Sequence, residues 1–304
     1  MISKEAFLRL SCAEIANLVR QAGPKVCVFP INGTRRWFVL EHAASIQGDP
    51  IQAYMDISSQ NHIELYKLFF AHGVDTLLTP EFGPDLLLRG DEYVQRIGAD
   101  GLARLASHPL FVDFYMEYGV RVHFYGEYRR FLGPTRYAYL SDLFDRASEQ
   151  TQQNTKHRLF IGVFGADATQ TVSEFAVEFH QSTGRLPDKS EIIAKYYGED
   201  IAKVDFFIGF DKFSAFDYPL LSSGEEDLYF SVAPSPYMSP AQLRAILYDH
   251  LYTRREVELD YEKMNPAELG WIKQFYAKNI DEALGIGITK AGIWIPASKL
   301  SMPG

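Results

Sequence analysis

The sequence has little of what disulfide-rich, metal-cluster or membrane-spanning proteins need. Its 304 residues contain two cysteines, Cys12 and Cys27, which are too few for a disulfide framework or a CxxC metal site. Uninterrupted apolar runs are shorter than the roughly 18 residues that span a bilayer. Charged residues also interrupt the N-terminal stretch every few positions, unlike a signal peptide. We therefore expect a cytoplasmic protein without a membrane span.

Basic charge is scarce as well. The chain has 30 Lys and Arg against 39 Asp and Glu, a formal net charge of -9 and a pI near 5.4. Nucleic acids and anionic membrane surfaces select proteins with an extended basic face. This composition argues against either as the main partner, and any anion that the protein binds must be held by a local cluster.

Several cofactor and catalytic motifs are missing. The sequence lacks GxxxxGK[ST] for nucleotide phosphates, GxGxxG for dinucleotides, HExxH for zinc and GxSxG for a serine nucleophile. These absences argue against the common nucleotide-dependent, zinc and serine hydrolase classes.

What the sequence does contain is a series of short apolar runs, each followed by a turn signal and a helical stretch. Such runs are typical of strands buried on both faces, and their alternation with helices predicts a parallel sheet covered on both sides. The predicted architecture is an α/β single-domain fold over residues 1–304, with about six strands flanked by helices and a helical C-terminal extension from about residue 239. The predicted strands lie within 25–30, 74–80, 120–126, 158–165, 205–210 and 228–234.

Aromatic residues are abundant, with 22 Phe and 18 Tyr. A Phe-rich core explains most of them. A large pocket walled by aromatic rings, suited to a hydrocarbon or a carbocation, is the alternative interpretation.

A basic pair follows the first predicted strand, in "FPINGTRRWF" at 29–38. In an open parallel sheet, ligands bind at the carboxyl ends of the strands. Gly33 would allow a ligand close to the backbone, Thr34 can donate, and Arg35 with Arg36 can grip phosphate oxygens. The spacing fits equally well a pair that only neutralises carboxylates such as Glu41.

Two segments resemble the cis-prenyltransferase family. "NGTRRWF" at 32–38 is similar to its DGNxRW signature, with Asn32 where the family has Asp and Arg36 where it has the phosphate-binding Arg. Residues 205–230 are similar to the region that holds isopentenyl diphosphate. There the family's Arg and Ser positions correspond to Gly209, Ala215 and Asp217, which cannot grip a second diphosphate.

Within that family, the chain resembles the mycobacterial group of tuberculosinol synthases and tuberculosinyl adenosine transferases. The similar segments keep the same order over about residues 23–296: "GPKVCVFPINGTRRWF", "LLLRGDEY", "HRLFIGVFGADA", "DFFIGFDKFSAFDYPLLSSG" and "LYDHLYTRRE". The resemblance implies a diterpene synthase that ionises a bicyclic, labdane-type allylic diphosphate. The DDxxD and DxDD motifs of other terpene synthases are absent.

Asn32 marks a departure from the group, because the mycobacterial enzymes have a required Asp there. An amide is a poor base but can still donate hydrogen bonds to diphosphate oxygens. Its presence favours loss of a proton from the cation, to give a labdatriene-like olefin, over hydroxylation or transfer to an acceptor. The departing diphosphate is one possible acceptor for that proton.

The resemblance also implies roles for individual residues. For Tyr54 the implied role is a pocket wall or a proton relay, and a surface-helix tyrosine is the alternative interpretation. Asp85 can instead cap a helix, and Tyr125 can be structural. Asn32, Arg35, Arg36 and Tyr54 are the expected catalytic residues, and the expected substrate-binding residues are Gly33, Thr34, Trp37, Asp85, Tyr125, Phe210, Phe213, Ser222 and Ser223.

The cofactor and partners follow from the resemblance too. It implies that Mg²⁺ binds with the diphosphate and is held loosely, because Asn32 replaces a carboxylate. It also implies that a separate class II cyclase supplies the substrate and that the protein is a homodimer. Two rival functions stay open. One is a diterpenyl transferase or a hydroxylating synthase, and the other is a non-catalytic partner subunit that keeps the fold.

Overall fold

The computed structural model describes residues 2–255 and 261–297, and its centre is a sheet of six parallel strands. The strand order is β3-β4-β2-β1-β5-β6, and every neighbouring pair is parallel. All six predicted strands are confirmed. They are β1 (Val26–Val28), β2 (Thr76–Phe82), β3 (Val120–Tyr125), β4 (His157–Val163), β5 (Phe206–Phe210) and β6 (Asp227–Ser231).

Helices cover both faces of this sheet, as the alternating pattern predicts. Short 3-10 turns connect several of them, and a π-helical segment, Val94–Ala99, joins α5 to α6. The helices are α1 (Lys4–Arg9), α2 (Cys12–Gln21), α3 (Thr34–Glu41), α4 (Pro50–Ala71), α5 (Asp91–Tyr93), α6 (Asp100–Ser107), α7 (Pro109–Tyr118), α8 (Tyr128–Leu132), α9 (Tyr139–Thr151), α10 (Thr169–Thr183), α11 (Lys189–Tyr197), α12 (Pro240–Leu251) and α13 (Pro266–Lys278).

Each strand contributes apolar side chains to two hydrophobic clusters. Successive strand side chains point to opposite faces, so Val26 and Val28 join one cluster and Cys27 joins the other. The larger cluster packs the sheet against α2, α4, α6, α7, α9 and α12, and the smaller one packs it against α11.

Local capping signals set the ends of the helices that matter for the site. Asp49 accepts a hydrogen bond from the Ile51 amide, and Pro50 occupies the first turn of α4. At the other end of α4, Gly73 takes a left-handed φ of 92°. The helix α10 also ends at a left-handed glycine, Gly184.

The C-terminal region contains more than helices. After α12 and α13 the chain forms an antiparallel hairpin of β7 (Gly287–Lys290) and β8 (Ile293–Pro296), which the sequence analysis did not predict. Its strands are four residues long, with β7 largely exposed and β8 mostly half-buried, so they lack the fully buried apolar run by which the central strands were recognised. In the ranges described, the helices are too short or too polar to cross a membrane.

Candidate functional site

The main cavity lies at the carboxyl edge of the four central strands. Its volume is about 1070 Å³, and its walls come from α4 and from the loops that follow β1, β2, β4 and β5. Those loops contribute, among others, Asn32, Asp85, Ala166 and Asp217. Because the carboxyl ends of parallel strands meet at one edge, segments distant in sequence converge there.

A tight turn at Gly33 leads from β1 into α3. Gly33 has a left-handed φ of 78°, and a Cβ at this position would lie 2.8 Å from the ring of Phe210 and 2.9 Å from Pro234. Neighbouring protein atoms therefore fill the space beside this glycine, whereas the sequence suggested an approach by ligand. Gly33 provides no side-chain cap, so the first amides of α3 keep their hydrogen-bonding capacity for other partners.

Three arginines, Arg35, Arg36 and Arg89, line the cavity near that turn and are called the arginine cluster below. The guanidinium groups of Arg35 and Arg89 lie 4.8 Å and 5.1 Å from the ring centroid of Tyr93. Arg89 also donates to Asp85 at 2.8 Å, and Arg36 lies 3.8 Å from a carboxylate oxygen of Asp211. The cluster concentrates positive charge at one end of the cavity.

Asn32 and Tyr54 lie in the same wall, where the sequence analysis placed them. The backbone of Asn32 is fixed by Ser235, whose hydroxyl accepts from the Asn32 amide at 3.1 Å. The hydroxyls of Thr34 and Tyr54 are 2.8 Å apart. Burial raises the pKa of Tyr54, the hydrogen bond with Thr34 opposes that effect, and the net shift is upward. Tyr54 is therefore neutral near pH 7.

Two carboxyl groups, Asp85 and Asp217, face the same cavity. Burial raises the pKa of Asp217, and the charge of Asp85 raises it further, so the two groups are close enough to interact. Mg²⁺ at phosphate sites is commonly held by one or two carboxylates together with phosphate oxygens. Across 2–255 and 261–297, however, His, Cys, Asp and Glu do not form a group of three that could hold a metal ion without a ligand.

The sequence analysis missed a buried acid and base, Glu81 and His62, in the inner wall of the cavity. Glu81 follows the apolar core of β2, and its side chain is 9% exposed. His62 Nε2 lies 3.6 Å from Glu81 Oε2. The signal that could have revealed the pair was an acidic residue at the ligand edge of a strand, in "TLLTPEF".

Six expected substrate-binding residues lie outside the wall of the main cavity, and four of them are aromatic. Trp37 is buried and packs edge-on against His42, with ring centroids 4.7 Å apart. Phe210 contacts Arg36, and Tyr125 is fully buried and donates to the Asp217 carbonyl at 2.7 Å. Phe213 stacks on Phe230 with centroids 4.8 Å apart and touches Trp294 of the hairpin. Phe210 and Tyr125 thus support residues that line the cavity.

Ser222 and Ser223 lie beside a second cavity of about 440 Å³, which shares Ala166, Phe216 and Asp217 with the main one. Both hydroxyls donate to the carboxylate of Glu226. Burial raises the pKa of Glu226, but hydrogen bonds from Ser222 and Ser223 outweigh that effect and lower it to about 2. Both hydroxyls are therefore engaged by a carboxylate where the sequence analysis expected a diphosphate.

Comparisons with known proteins find two relatives of similar length. The chain is 43% identical over 296 residues to a tuberculosinyl adenosine transferase of Mycobacterium tuberculosis, covering 97% of this chain and 98% of the relative. It is 25% identical over 288 residues to a (+)-kolavelool synthase of Herpetosiphon aurantiacus, covering 92% of each chain. Protein-family models were searched and none matches.

A solved structure supports the fold. The crystal structure of lavandulyl diphosphate synthase from Lavandula x intermedia, in complex with dimethylallyl diphosphate, matches with a TM-score of 0.60 at 14% identity. The match covers 76% of this chain and 97% of that chain. The predicted enzyme class is confirmed by the relatives, which are a diterpene synthase and a prenyl transferase. The chain belongs to the family of the tuberculosinyl adenosine transferase, and it is an enzyme with the cis-prenyltransferase fold.

Proposed function

We propose that this enzyme ionises a bicyclic, labdane-type C20 allylic diphosphate and converts the resulting cation into an olefin by loss of a proton. The observation that carries the proposal is the polarity of the main cavity. Arg35, Arg36 and Arg89 lie near the start of α3, and apolar side chains such as Leu105 and Phe111 line much of the remaining wall. That division matches a substrate with one diphosphate and a large hydrocarbon body.

The charged end suits a leaving diphosphate. The guanidinium groups of Arg35 and Arg36 accompany the uncapped N-terminus of α3, whose amides add partial positive charge. When the allylic C–O bond breaks, its electron pair leaves with the diphosphate. Donors already in position stabilise the growing negative charge, and each such donor contributes about 2.7–4 kcal/mol to lowering a barrier.

The hydrocarbon end suits a cation. Phe82, Phe111 and Phe216 line the cavity together with Tyr54 and Tyr93. Aromatic faces attract positive charge, and an apolar wall excludes the water that would capture the cation.

A second diphosphate site is not expected in the neighbouring cavity. Ala215, Asp217 and Glu226 line it, and Ser222 and Ser223 donate to Glu226. Neutral and acidic groups do not hold a polyanion, so we expect no chain elongation with isopentenyl diphosphate.

The proposal includes Mg²⁺, which would bind together with the diphosphate of the substrate. Asp85 and Asp217 are the cavity carboxylates that would hold it together with diphosphate oxygens, and bound there it would neutralise part of the leaving-group charge. We expect Asp85→Asn to raise the Mg²⁺ concentration required for half-maximal activity, and a titration of activity against Mg²⁺ measures this.

Product analysis tests the proposed function. The protein is incubated with a panel of bicyclic C20 diphosphates and with geranylgeranyl diphosphate, and the products are identified by mass spectrometry. The expected result is a C20 triene from a bicyclic substrate with one diphosphate released per turnover. Failure to release diphosphate from any member of the panel would contradict the proposal.

A diterpenyl transferase is the second candidate, and one observation favours it. The second cavity adjoins the main one through Ala166, Phe216 and Asp217, so an acceptor molecule could reach a cation formed next door. The 43% identical relative is a tuberculosinyl adenosine transferase. Adding adenosine to the same incubations decides the matter, because an adenosine adduct as the main product would replace the olefin proposal.

The supply of substrate by a separate class II cyclase and the assembly of a homodimer stay part of this proposal. Light scattering of the purified protein tests the dimer. Conversion of geranylgeranyl diphosphate only after addition of a class II cyclase tests the supply.

A further inference from the structure

The His62 and Glu81 pair, called the dyad below, is a charged group in a wall that otherwise suits hydrocarbon. Its side chains are 12% and 9% exposed, and both line the main cavity. Neighbouring lining residues include Met55, Leu105 and Phe111, which are buried and apolar. Burying ionisable groups beside apolar surface is costly unless they are paired, and binding the hydrocarbon of a terpenoid does not by itself require such a pair.

The hydrogen bonds of the dyad fix where its protons lie. His62 Nδ1 is 2.7 Å from the Ser58 carbonyl, which can only accept, so Nδ1 carries a hydrogen. Nε2 is left facing Glu81, and Thr79 donates to the other oxygen of Glu81 at 2.8 Å. Burial lowers the pKa of His62, but the Glu81 carboxylate outweighs burial and the net pKa is raised. The contact with Glu81 therefore favours the protonated form of His62.

The dyad also sits at a useful distance from the arginine cluster. Tyr54, which contacts Thr34 at the start of α3, and His62 are eight residues apart on α4, or about 12 Å along the helix axis. On the sheet, Val28 pairs with Leu78. Beyond that pair, Glu81 lies near the carboxyl end of β2 and Asn32 follows β1, so both reach the same edge of the sheet and line the same cavity. The dyad thus borders the space between the charged end and the inner apolar wall.

We propose that Glu81 is the base that takes the proton from the terpenyl cation and that His62 is a positioning residue that holds the Glu81 carboxyl group in place. This inference rests on the proposed function. The diphosphate leaves with the electron pair of the C–O bond. A C–H bond next to the cation then breaks, its electron pair forms the new C=C bond, and the proton passes to a Glu81 oxygen. The sum is one olefin, one diphosphate and one proton, with no further reactant.

This assignment explains how a chain with Asn32 in the first motif can favour an olefin. The amide cannot accept a proton, whereas the carboxylate of Glu81 on the adjacent strand can. The base then lies on the hydrocarbon side of the cavity, away from the diphosphate. Glu81 would replace the diphosphate as the proton acceptor.

The test separates ionisation from proton loss in Glu81→Gln, which keeps the shape of the side chain and removes the base. Diphosphate release and terpenoid products are measured in the same incubation with the bicyclic C20 substrate. We expect release within a fewfold of wild type, with olefin formed per diphosphate falling by roughly 10²-fold, the low end for a positioned base. Alcohols from captured water would take its place.

His62→Asn keeps a donor near the Ser58 carbonyl and removes the imidazolium. We expect the same shift from olefin to alcohol, smaller than in Glu81→Gln, with an unchanged KM. A His62 that only supports α4 would instead raise KM and lower the melting temperature together. Glu64→Gln, an exposed change on the same helix, is the matched control and should leave the products unchanged.

The two proposals fail differently. If Glu81→Gln releases diphosphate and gives the wild-type olefin in unchanged proportion, the dyad is not the base and the diphosphate is the remaining acceptor, while the proposed function stands. If the wild-type protein releases no diphosphate from any bicyclic substrate, the proposed function itself fails. Circular dichroism and thermal melting of each variant separate loss of folding from loss of chemistry, and Glu81→Asp provides a second variant that retains a carboxylate.

Discussion

The two cavities lie side by side at the carboxyl edge of the sheet and share three residues, yet their chemistry is opposite. The main cavity collects the arginine cluster and the uncapped start of α3. At the second cavity, the hydroxyls of Ser222 and Ser223 donate to an internal carboxylate, Glu226. The comparison indicates that a few side chains in the loop after β5 decide whether the second cavity at this sheet edge suits an anion.

The arginine cluster is expected to give the largest effect. Arg36→Ala removes a charged fork from the main cavity, and we expect kcat/KM for diphosphate release to fall by about 10²–10³-fold, as for loss of one transition-state donor. Steady-state diphosphate assays measure this. Arg146→Ala, an exposed change on α9, is the control. Wild-type kinetics in Arg36→Ala would mean that the anion is held elsewhere.

The turn at Gly33 comes next, because it positions the whole charged end. Gly33→Ala adds a left-handed strain of roughly 1–2 kcal/mol and a Cβ 2.8 Å from the Phe210 ring, which together should destabilise the protein by about 2–4 kcal/mol. Urea unfolding measures the difference. Gly184 has a similar φ of 76° but open space around it, so Gly184→Ala should lower the free energy of unfolding by the strain contribution alone. Equal losses in the two variants would show that the contact with Phe210 is unimportant.

The internal carboxylate of the second cavity makes a smaller, pH-dependent contribution. The folded pKa of Glu226 is about 2, below its ordinary value of 4.5, so its stabilisation is complete above pH 4.5 and is lost as the pH falls towards 2. We expect Glu226→Gln to be about 1–2 kcal/mol less stable than wild type at pH 7, with the difference shrinking steadily in urea titrations between pH 4.5 and 3. A difference that does not change with pH would contradict this account.

The hydroxyl of Tyr54 should give the smallest effect of the series. Tyr54→Phe removes one hydrogen bond to Thr34, worth about 0.5–1.5 kcal/mol, and we expect kcat/KM to fall by about threefold to tenfold. Tyr139→Phe, at a ring that is 44% exposed, serves as the control in the same assay. A loss above 10³-fold would instead make Tyr54 a proton donor or acceptor in the reaction.

The sequence predicted the fold well because the central strands carry strong local signals. Each lies in a mainly apolar run, and helix ends such as Asp49 and Gly184 have ordinary capping chemistry. The hairpin of β7 and β8 was missed because its strands are short and mostly exposed or half-buried. Local pattern identifies a segment by what it buries, and these strands bury little.

The site was predictable only in part, for a different reason. The stretch from Asn32 to Arg36 forms one turn of chain, and all of it faces the main cavity. Phe213 depends on tertiary partners, Phe230 and Trp294, that no local pattern specifies. Ser222 and Ser223 donate to Glu226, a local partner that the sequence analysis did not consider. His62 and Glu81 are 19 positions apart in the sequence, and only the packing of α4 on β2 brings them together. A pair of this kind is recognised in the folded structure and not in the sequence pattern.

The central claim is that this sheet edge binds the single diphosphate group of an allylic substrate and that the enzyme ionises that substrate. The most direct test is to incubate the protein with a bicyclic C20 diphosphate and excess isopentenyl diphosphate, and to measure released diphosphate and terpenoid products by mass spectrometry. The account predicts one diphosphate released per C20 product and no elongated diphosphate. A C25 or longer diphosphate would contradict it, because its formation requires a second diphosphate site beside the first.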